Sequence, residues 1–307
     1  MESVFGTILR EICKEEEILL TEHSFGWIYQ LEKNGEIRHI VSRSFDLNPE
    51  AAADIMCDKY ATYIMLKYNR VPVIEHKILF NPITRKALNN GSVIEEASTY
   101  FAANKEQLVV KSNDGKQGKE VFLCFSKKEL EYRVLSLFAR HNSISLCPFY
   151  TISKEYRIFM LKDQVLFLYG KEKPYIIGDG YSSIEEIAMR EGKDFLQLVN
   201  RNATDIPALN EKVEISWKHN LSGGASPIKV NDNTKIAMLT DLARAASKAI
   251  NIGFATVDVA ETESGEFYVM EINSGVAVTK LTENVPNGFE IGKEIYRAAV
   301  RAMFFSC

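Results

Sequence analysis

Three oxygen-bearing side chains near the end of the 307-residue chain have the types and spacing of a metal site: Asp258, Glu271 and Asn273. They lie in or beside two segments, 255–260 and 267–272, whose β-branched and aromatic residues predict two antiparallel strands around a Glu-Ser-Gly-Glu turn. If the turn centres near Ser264, Asp258 faces Met270 and Glu271, and the strand period of two places Asn273 on the same side as Glu271. Magnesium prefers carboxylate and amide oxygens and usually keeps phosphates as further ligands. The pattern therefore predicts a binding site for a magnesium-bound nucleotide.

A solvated hairpin is the alternative interpretation of the same segment. It suits the acidic residues close to the turn, Glu261, Glu263 and Glu266. It suits Asp258 and Glu271 poorly, because both stand within apolar strands and an unpaired charge is costly to bury. Taken alone, the segment leaves both interpretations open.

A loop with two glycines follows a short strand that ends in a lysine. Residues 107–111 have the pattern of a buried strand ending at Lys111, and Gly115 and Gly118 precede a second strand pattern at 120–125. The glycine spacing is not that of a Walker A loop, and no helix follows. Exposed backbone N–H groups in such a loop can still fold over phosphates, while Lys111 reaches the same anion. A plain hairpin with a polar tip is the alternative.

The first 50 residues predict a small α/β unit with no evident chemistry. Apolar residues recur at helical spacing and predict a helix over 4–14. Asn34-Gly35 is a strong signal for a two-residue hairpin turn. The turn separates the second and third of three strand patterns, at 17–21, 27–31 and 36–42.

Helices and strands alternate through the rest of the chain. Asn48 as N-cap and Pro49 in the first turn predict a helix that continues over 51–67 and contains Lys59. Lys59 follows an aspartate, and taken alone this is an ordinary solvated pair. Further patterns predict a helix at 129–140, a hairpin of 156–161 with 165–170, a helix from Ser182 or Ser183 to about Arg190, a small-residue loop at 217–226, and helices at 235–251 and 289–305.

Composition and charge are those of an ordinary globular protein. Hydrophobic residues make up 46% and charged residues 25% of the chain, and its length allows one large domain or two to three small ones. Lys and Arg total 37 against 41 Asp and Glu, for a formal net charge of -4. This balance argues against nucleic acid or an anionic membrane as the main partner.

Cysteine usage and the absence of long apolar runs bear on the compartment. The five cysteines show no CxxC spacing, so we expect free thiols in a reducing cytosol rather than a zinc site or disulfides. No apolar run reaches about 18 residues, and acids stand where a signal peptide would carry bases. We expect a cytoplasmic protein.

The order of these motifs resembles the ATP-grasp superfamily. After the strand-end lysine and the glycine loop come Glu-Tyr-Arg at 155–157, Gly-Asp-Gly at 178–180, Asn-Leu-Ser-Gly-Gly at 220–224, and Val-Asp-Val with Glu-Ile-Asn in the final hairpin. The match runs roughly from Asn48 to the end of the chain. It is most similar to carboxylate–amine ligases: ribosomal-protein glutamate ligases, the ligase half of cyanophycin synthetase, glutathione synthetases and D-alanine:D-alanine ligases.

The resemblance implies an α+β protein with the ATP-grasp fold, in which a small N-terminal α/β cap precedes two α+β subdomains that sandwich ATP. The implied divisions are an N-terminal pre-ATP-grasp cap at residues 1–53, a central lid subdomain at 54–147 and a C-terminal subdomain with the metal site at 148–307.

The resemblance also implies a role for each candidate residue. Nucleotide contacts are implied for Lys59, Lys111, Gly115, Gly118, the adenine linker Cys147, Pro148, Phe149 and Tyr150, the ribose-binding Glu155, and Lys173 near the γ-phosphate. Metal contacts are implied for Asp258, Glu271 and Asn273. Contacts to an acylphosphate or substrate are implied for Arg157, Asn220, Ser222, Gly223 and Gly224, and Lys111 and Lys173 are counted with the catalytic residues.

Four departures from the family pattern fall at this site. Pro148 stands where the adenine linker usually has an acid, and it removes a backbone donor. The loop at 220–224 is one residue shorter than the Asn-Leu-Ser-Thr-Gly-Gly of cyanophycin synthetase. Thr256 replaces an arginine of D-alanine ligases, and Ser274-Gly275-Val276 replaces the proline-glycine common after the metal asparagine. The natural substrate therefore need not be any of those named.

The implied reaction is ATP-dependent condensation of a carboxylate with an amine through an acylphosphate. ATP with Mg²⁺ or Mn²⁺ is the implied cofactor. Carboxylate and amine substrates, small molecules or peptides, are the implied partners, without nucleic acid or membrane and with a homodimer left open.

Two alternatives to a ligase stay open. An ATP-grasp kinase would phosphorylate a hydroxyl and would need a basic pocket, for which the candidates are Lys218, His219, Lys229 and Lys280. A nucleotide-binding regulatory module would show no turnover, although retention of both carboxylates and both lysines argues against it.

Overall fold

The computed structural model of the chain describes residues 3–88, 91–115, 120–193, 198 and 201–305. Its helices are α1 (Val4–Glu15), α2 (Glu50–Cys57), α3 (Lys59–Tyr68), α4 (Val93–Ala103), α5 (Lys127–Phe138), α6 (Ile184–Arg190), α7 (Asn233–Ile250), α8 (Thr279–Asn284) and α9 (Gly288–Phe304). Its strands are β1 (Leu19–His23), β2 (Ile28–Lys33), β3 (Glu36–Val41), β4 (Ser44–Phe45), β5 (Lys77–Phe80), β6 (Leu108–Ser112), β7 (Val121–Cys124), β8 (Ser143–Pro148), β9 (Ile152–Leu161), β10 (Gln164–Glu172), β11 (Tyr175–Ile177), β12 (Lys212–Glu214), β13 (Ser226–Ile228), β14 (Phe254–Thr262) and β15 (Phe267–Asn273). Within the described ranges, no helix combines the length and apolar character needed to cross a membrane.

The N-terminal unit is an antiparallel sheet, β1-β2-β3-β4, that packs with α1. Asn34 and Gly35 join β2 to β3 with φ angles of +52° and +79°, which confirms the predicted two-residue turn. The predicted apolar stripe of α1 is also confirmed, since Ile8, Leu9 and Ile12 are fully buried. They share one core with α9 and with residues of the largest sheet, so the N-terminal unit is docked firmly on the rest of the chain.

A second antiparallel sheet, β5-β8-β6-β7, packs against α4 and α5. Leu108 and Val110 of β6 point into the core between this sheet and the helices. Because side chains alternate along a strand, Val109 and Lys111 face the opposite side. We call this unit the lid.

The largest sheet has five antiparallel strands in the order β13-β10-β9-β14-β15. One face is apolar: Ile158 of β9 and Val257 of β14 pack with α2, α3 and α7. The alternate residues, among them Arg157 and Asp258, therefore point to the other face. The period-two pattern thus separates a hydrophobic face from a charged one.

The other predicted helices are confirmed within two residues at each end as α5, α7 and α9. Ser183 begins α6, and its side chain and Glu186 form the capping box that the sequence predicts. The helix packs on the two-stranded sheet β11-β12 around a small core of its own.

The prediction of one continuous helix over 51–67 is wrong. Asp58 is extended, with φ −113° and ψ 116°, and divides the segment into α2 and α3. Its Oδ1 accepts a hydrogen bond from the Ala61 N–H at 2.7 Å, and its Oδ2 accepts one from Asn113 Nδ2 at 2.6 Å. The aspartate therefore caps a new helix, and Lys59 is the first residue of that helix.

The N-cap of α2 is Pro49 and not, as predicted from the sequence, Asn48. The Asn48 side chain instead bonds the backbone at the start of β14. Its Oδ1 accepts from the N–H groups of Gly253 and Phe254 at 2.8 and 3.0 Å, and its Nδ2 donates to the Phe254 carbonyl at 2.8 Å. The chains approach so closely here that a Cβ on Gly253 would lie 2.1 Å from the Leu47 carbonyl oxygen.

We expect Asn48→Ala to lower the free energy of unfolding by about 2–3 kcal/mol, because it leaves two part-buried backbone N–H groups without acceptors. Urea denaturation of the full chain measures this. Asn69→Ala is the matched control: the Asn69 side chain donates to the Met65 carbonyl at an exposed helix end, and we expect a loss of less than about 0.5 kcal/mol. Equal losses in the two variants would contradict the assignment.

Candidate functional site

A cleft of about 1270 Å³ is lined by residues of the N-terminal unit, the lid and the charged face of the large sheet. Residues of the loop that precedes β13 also line it, among them Trp217, Lys218, His219 and Asn220. Most of the candidate residues from the sequence meet in this one space. Those that line it are Lys59, Lys111, Gly115, Phe149, Tyr150, Glu155, Arg157, Lys173, Asn220, Asp258, Glu271 and Asn273.

Four polar side chains form a row across four strands of the large sheet. Tyr169 of β10 lies opposite Arg157 of β9, Arg157 lies opposite Asp258 of β14, and Asp258 lies opposite Glu271 of β15. The predicted pairing of Asp258 with Glu271 is confirmed. The register shifts immediately afterwards, which leaves Met270 as the extra residue of a β-bulge. Bulges re-aim neighbouring side chains, and here Met270 and Glu271 both reach the cleft.

Asp258 is buried and paired with two cations. Arg157 donates to it through two nitrogens, Nε to Oδ1 at 2.8 Å and Nη2 to Oδ2 at 2.7 Å. Lys171 Nζ lies 3.0 Å from the same Oδ2. Burial alone would raise the pKa of Asp258, but Arg157 and Lys171 outweigh it and hold this pKa well below its usual range. The carboxylate is therefore ionised.

Lys171 also links Asp258 to a second buried carboxylate. Its Nζ donates to Glu155 Oε2 at 3.3 Å, and His219 Nδ1 lies 3.5 Å from Glu155 Oε1. Burial raises the pKa of Glu155, but Lys171 and His219 together outweigh this effect and lower the pKa. The Glu155–Lys171–Asp258 chain is thus a set of alternating charges on the cleft floor.

Lys59 connects the start of the glycine loop to the end of the charged row. Its Nζ donates to the Gly115 carbonyl at 2.6 Å and lies 3.7 Å from Glu271 Oε1. Burial lowers the pKa of Lys59, the carboxylate of Glu271 opposes this, and the nearby charge of Lys111 adds to it. Two lysines are therefore held close together at one edge of the cleft, an arrangement suited to a polyanion. Gly118 lies outside the described residues.

The lid end of the cleft is an apolar slot formed by Val121, Phe149, Trp217 and Met270. The Phe149 and Trp217 rings meet edge to face, with centroids 6.1 Å apart. An apolar, aromatic part of a cleft is the kind of surface that a nucleobase can pack against. Lys218 closes the slot from the side: its Nζ donates to the Val121 carbonyl at 2.7 Å, and burial lowers its pKa to about 8.

Only two of the four residues of the implied adenine linker line the cleft. Phe149 and Tyr150 line the cleft, whereas Cys147 is buried in β8 opposite Val109 and Pro148 is the last residue of that strand. The Phe149 N–H donates to the Gln107 carbonyl at 3.4 Å, a long and weak bond. This N–H is therefore only loosely engaged within the protein.

Two further candidates lie at the rim. Lys173 Nζ lies 3.0 Å from Glu214 Oε2, so its charge is partly compensated. In the loop, the Asn220 carbonyl accepts from the Gly223 N–H at 2.8 Å and holds a short 3-10 turn at Leu221–Gly223. The turn includes Ser222, whose side chain lies outside the described part of the structure.

The N-terminal unit contributes to the cleft, which nothing in the sequence pattern indicated. Trp27 and the tip of the hairpin between β3 and β4, including Ser42 and Arg43, line it. The Arg43 carbonyl accepts a hydrogen bond from the Val276 N–H at 3.1 Å, which fixes the tip against the segment after β15.

Lys171 is a further residue that sequence reasoning missed. Its signal was present, because it lies directly opposite Glu155 once the predicted hairpin is extended by two residues. The sequence placed Trp217 and His219 in a loop. It did not show that Trp217 lies near β7 and His219 near Glu155, because this depends on how separate units pack.

Asp258, Glu271 and Asn273 suit a hard divalent cation by their chemistry. They supply two carboxylates and an amide oxygen on adjacent strands, and all three line the cleft. No group of three His, Cys, Asp or Glu residues is placed for metal binding within the described ranges. A cation here would therefore need phosphate or water oxygens to complete its coordination.

The cleft is cationic although the protein is acidic overall. Eight Lys and Arg residues line it against four Asp and Glu, while the whole chain carries a formal charge of -4. Concentrated positive charge in a cleft draws in anionic ligands.

Comparison with known proteins identifies this architecture. No protein-family model matches the chain. The glutathione biosynthesis bifunctional protein GshAB of Clostridium perfringens (strain 13 / Type A) is 24% identical over 246 aligned positions, which cover 67% of this chain and 31% of that protein. The chain thus spans about a third of the length of this curated relative.

Solved structures show the fold. A bifunctional glutathione synthetase from Pasteurella multocida superposes with a TM-score of 0.55 and 15% identity, covering 97% of this chain and 44% of that one. A D-alanine–D-alanine ligase from Bacillus anthracis has the same TM-score and identity, covering 84% of this chain and 72% of that one. The predicted α+β class and ATP-grasp fold are confirmed.

We expect Asp258→Asn to lower the free energy of unfolding by about 3–5 kcal/mol at pH 7, because it leaves the buried Arg157 and Lys171 without their charge partner. Glu271→Gln is the matched control. Glu271 is one-third exposed and 3.7 Å from Lys59, and we expect a loss below about 1 kcal/mol.

The difference in unfolding free energy between wild type and Asp258→Asn should depend on pH. Because the folded pKa of Asp258 is depressed, its contribution is complete above the unfolded value of about 3.9 and is lost as the pH falls toward the folded pKa. The gap in stability between wild type and Asp258→Asn should therefore narrow below about pH 4. A gap that stays constant in denaturant titrations from pH 7 to pH 3 would contradict the ionised pair.

Proposed function

We propose that the chain is an ATP-dependent carbon–nitrogen ligase that joins a carboxylate to an amine on amino-acid or peptide substrates. The supporting observation is one continuous cleft that links an apolar slot, two adjacent lysines and a set of oxygen donors on rigid strands. The apolar slot suits a nucleobase, the two lysines suit a triphosphate, and the oxygen donors suit its metal ion.

The comparisons favour a ligase among ATP-grasp activities. The relatives are named for glutathione biosynthesis and for D-alanine–D-alanine ligation, both ATP-dependent formation of peptide or amide bonds. Since the chain spans about a third of GshAB and less than half of the Pasteurella enzyme, their particular substrates are not transferred to it.

ATP-grasp ligases use ATP, and Mg²⁺ is generally required. In this proposal the base occupies the slot at Phe149 and Trp217, and Lys59 and Lys111 bind the phosphates beside the loop that begins at Gly115. Mg²⁺, or Mn²⁺ in its place, would be held by three side chains and would neutralise charge on the phosphates. These side chains are Asp258, Glu271 and Asn273.

The chain's own residues would act mainly by alignment and electrostatics. The substrate carboxylate attacks the γ-phosphorus, which forms an acylphosphate and releases ADP. The amine then attacks the acyl carbon, phosphate leaves, and the amine loses a proton. Lys59 and Lys111 would lower the repulsion between the two anions of the first step. Arg157, Lys173 and the turn at Asn220 would hold the acylphosphate away from water.

Lys171 has a positioning role in this scheme. It keeps Glu155 and Asp258 ionised on the cleft floor, so that both are ready to act as acceptors or ligands. We also propose that the divisions at residues 1–53, 54–147 and 148–307 correspond to the cap, the lid subdomain and the C-terminal subdomain.

The test is a screen for Mg-ATP-dependent phosphate release with pairs of amino acids and dipeptides, followed by mass spectrometry of the products. We expect phosphate only when both a carboxylate and an amine substrate are present, together with an amide product. Glu271→Gln should lower kcat at least about 100-fold, because it removes a metal ligand. Glu263→Gln, an exposed acid near the turn of the same hairpin, should keep wild-type activity.

Other outcomes of the screen would reject the ligase. A phosphorylated hydroxyl product with no need for an amine would assign a kinase. Nucleotide binding without phosphate release for any pair would assign a regulatory module.

A further inference from the structure

Arg43 stands at the tip of a hairpin that the N-terminal unit extends to the cleft. Val41 pairs with Ser44, so Ser42 and Arg43 form the two-residue tip, and Ser42 has a φ of +57°. The bond from the Val276 N–H to the Arg43 carbonyl anchors this tip next to the segment that follows Asn273. The position of Arg43 is therefore set by backbone contacts on both sides.

Within the part of the chain that the structure describes, the guanidinium of Arg43 has no hydrogen-bond or ion-pair partner. It lines the cleft, its Nε is buried, and within the described residues neither a hydrogen bond nor an ion pair reaches the side chain. Three other basic residues of the cleft have a carboxylate partner: Arg157 pairs with Asp258, Lys173 with Glu214, and Lys280 with Glu283. An uncompensated, partly buried guanidinium is costly to keep unless a ligand pairs with it.

Strand β15 and the segment that follows it contribute to successive regions of the cleft. Met270 contributes to the apolar slot, Glu271 and Asn273 are the oxygen donors, and Val276 carries the contact to Arg43. Along the chain, Met270 precedes both oxygen donors and Val276 follows them. Arg43, which contacts Val276, therefore lies on the side of the oxygen donors away from the slot.

There is free room at this end. A Cβ on Gly275 would meet no atom within 4 Å, and the neighbouring Trp27 is more than half exposed. The excess of four positive charges in the cleft also exceeds what magnesium-bound ATP balances, since the ion cancels about half of the triphosphate charge. The remaining charge calls for further anions.

We propose that Arg43 determines specificity by pairing with a carboxylate that the amine-bearing substrate keeps through the reaction. This rests on the proposed function: with the base in the slot and the acyl group beyond the phosphates, the amine approaches from the far end, where Arg43 lies. The acceptor is accordingly an amino acid or peptide with a free carboxylate rather than a simple amine. An arginine is well suited to this, because its fork matches a carboxylate in two hydrogen bonds.

The test compares acceptors that differ only in charge. A panel of amino acids and dipeptides is supplied as free acids and as C-terminal amides, which keep the amine and lose the carboxylate. We expect the wild type to prefer the acid in kcat/KM by about 10- to 100-fold, and Arg43→Gln to lose this preference. Arg43→Lys should keep part of it, since it retains the charge without the fork. The KM for ATP should not change in either variant.

Arg38→Gln is the matched control. Arg38 lies on the same hairpin but is paired with Glu36 and Asp46 and does not line the cleft. It should retain the full preference for acids. Thermal unfolding of all variants separates a loss of recognition from a loss of structure, because a merely structural Arg43 would lower stability without changing the acid-to-amide ratio.

A binding measurement makes the test independent of turnover. In Trp217→Phe, Trp27 is the single remaining tryptophan and reports on this end of the cleft. Free acids, but not their amides, should change Trp27 fluorescence, and Arg43→Gln should abolish the response. Such a response, together with no phosphate release by the wild type for any pair, would reject the ligase and support the anion site. Equal behaviour of acids and amides in the wild type, or an unchanged ratio in Arg43→Gln, would overturn the proposal.

Discussion

The buried carboxylate of Asp258, held between Arg157 and Lys171, is the interaction on which the rest of the structure depends. An ionised group in this position is tolerated only with paired, hydrogen-bonded cations. Those cations come from β9 and β10, so the pair requires the observed register of three neighbouring strands. A slip by one residue would turn these charges into the apolar core beneath α7 and expose that core's side chains.

This register has consequences for both faces of the sheet. Helices α2, α3 and α7 cover one face with a continuous core, and the N-terminal unit with α9 covers part of the other. The uncovered remainder is the cleft floor. Lid, loop and hairpin tip then surround it: the lid and the loop both contribute to the apolar slot, and the tip contributes the Arg43 guanidinium. The large sheet supplies rigidity, while the surrounding segments supply recognition.

Local patterns were sufficient where neighbours along the chain decide the structure. A turn near Ser264 places Asp258 opposite Met270 and Glu271, of which Glu271 is its partner, and Asn34-Gly35 alone specifies its turn. Local signals failed at Asn48, whose partner Phe254 is 206 residues away. They also missed the helix break at Asp58, although its capping bond to the Ala61 N–H is local, and Arg43, because the direction of a hairpin tip follows from the docking of separate units. The sequence placed Asp258 and Glu271 on one hairpin, whereas nothing in it indicated that Trp27 and Arg43 line the same cleft.

The most direct measurement is a crystal structure with Mn²⁺ and a non-hydrolysable ATP analogue, in which anomalous scattering locates the ion. The account predicts a peak at about 2 Å from oxygens of Asp258, Glu271 and Asn273, with the triphosphate beside Lys59 and Lys111. An ion and triphosphate bound elsewhere, with the three side chains directed apart, would contradict it.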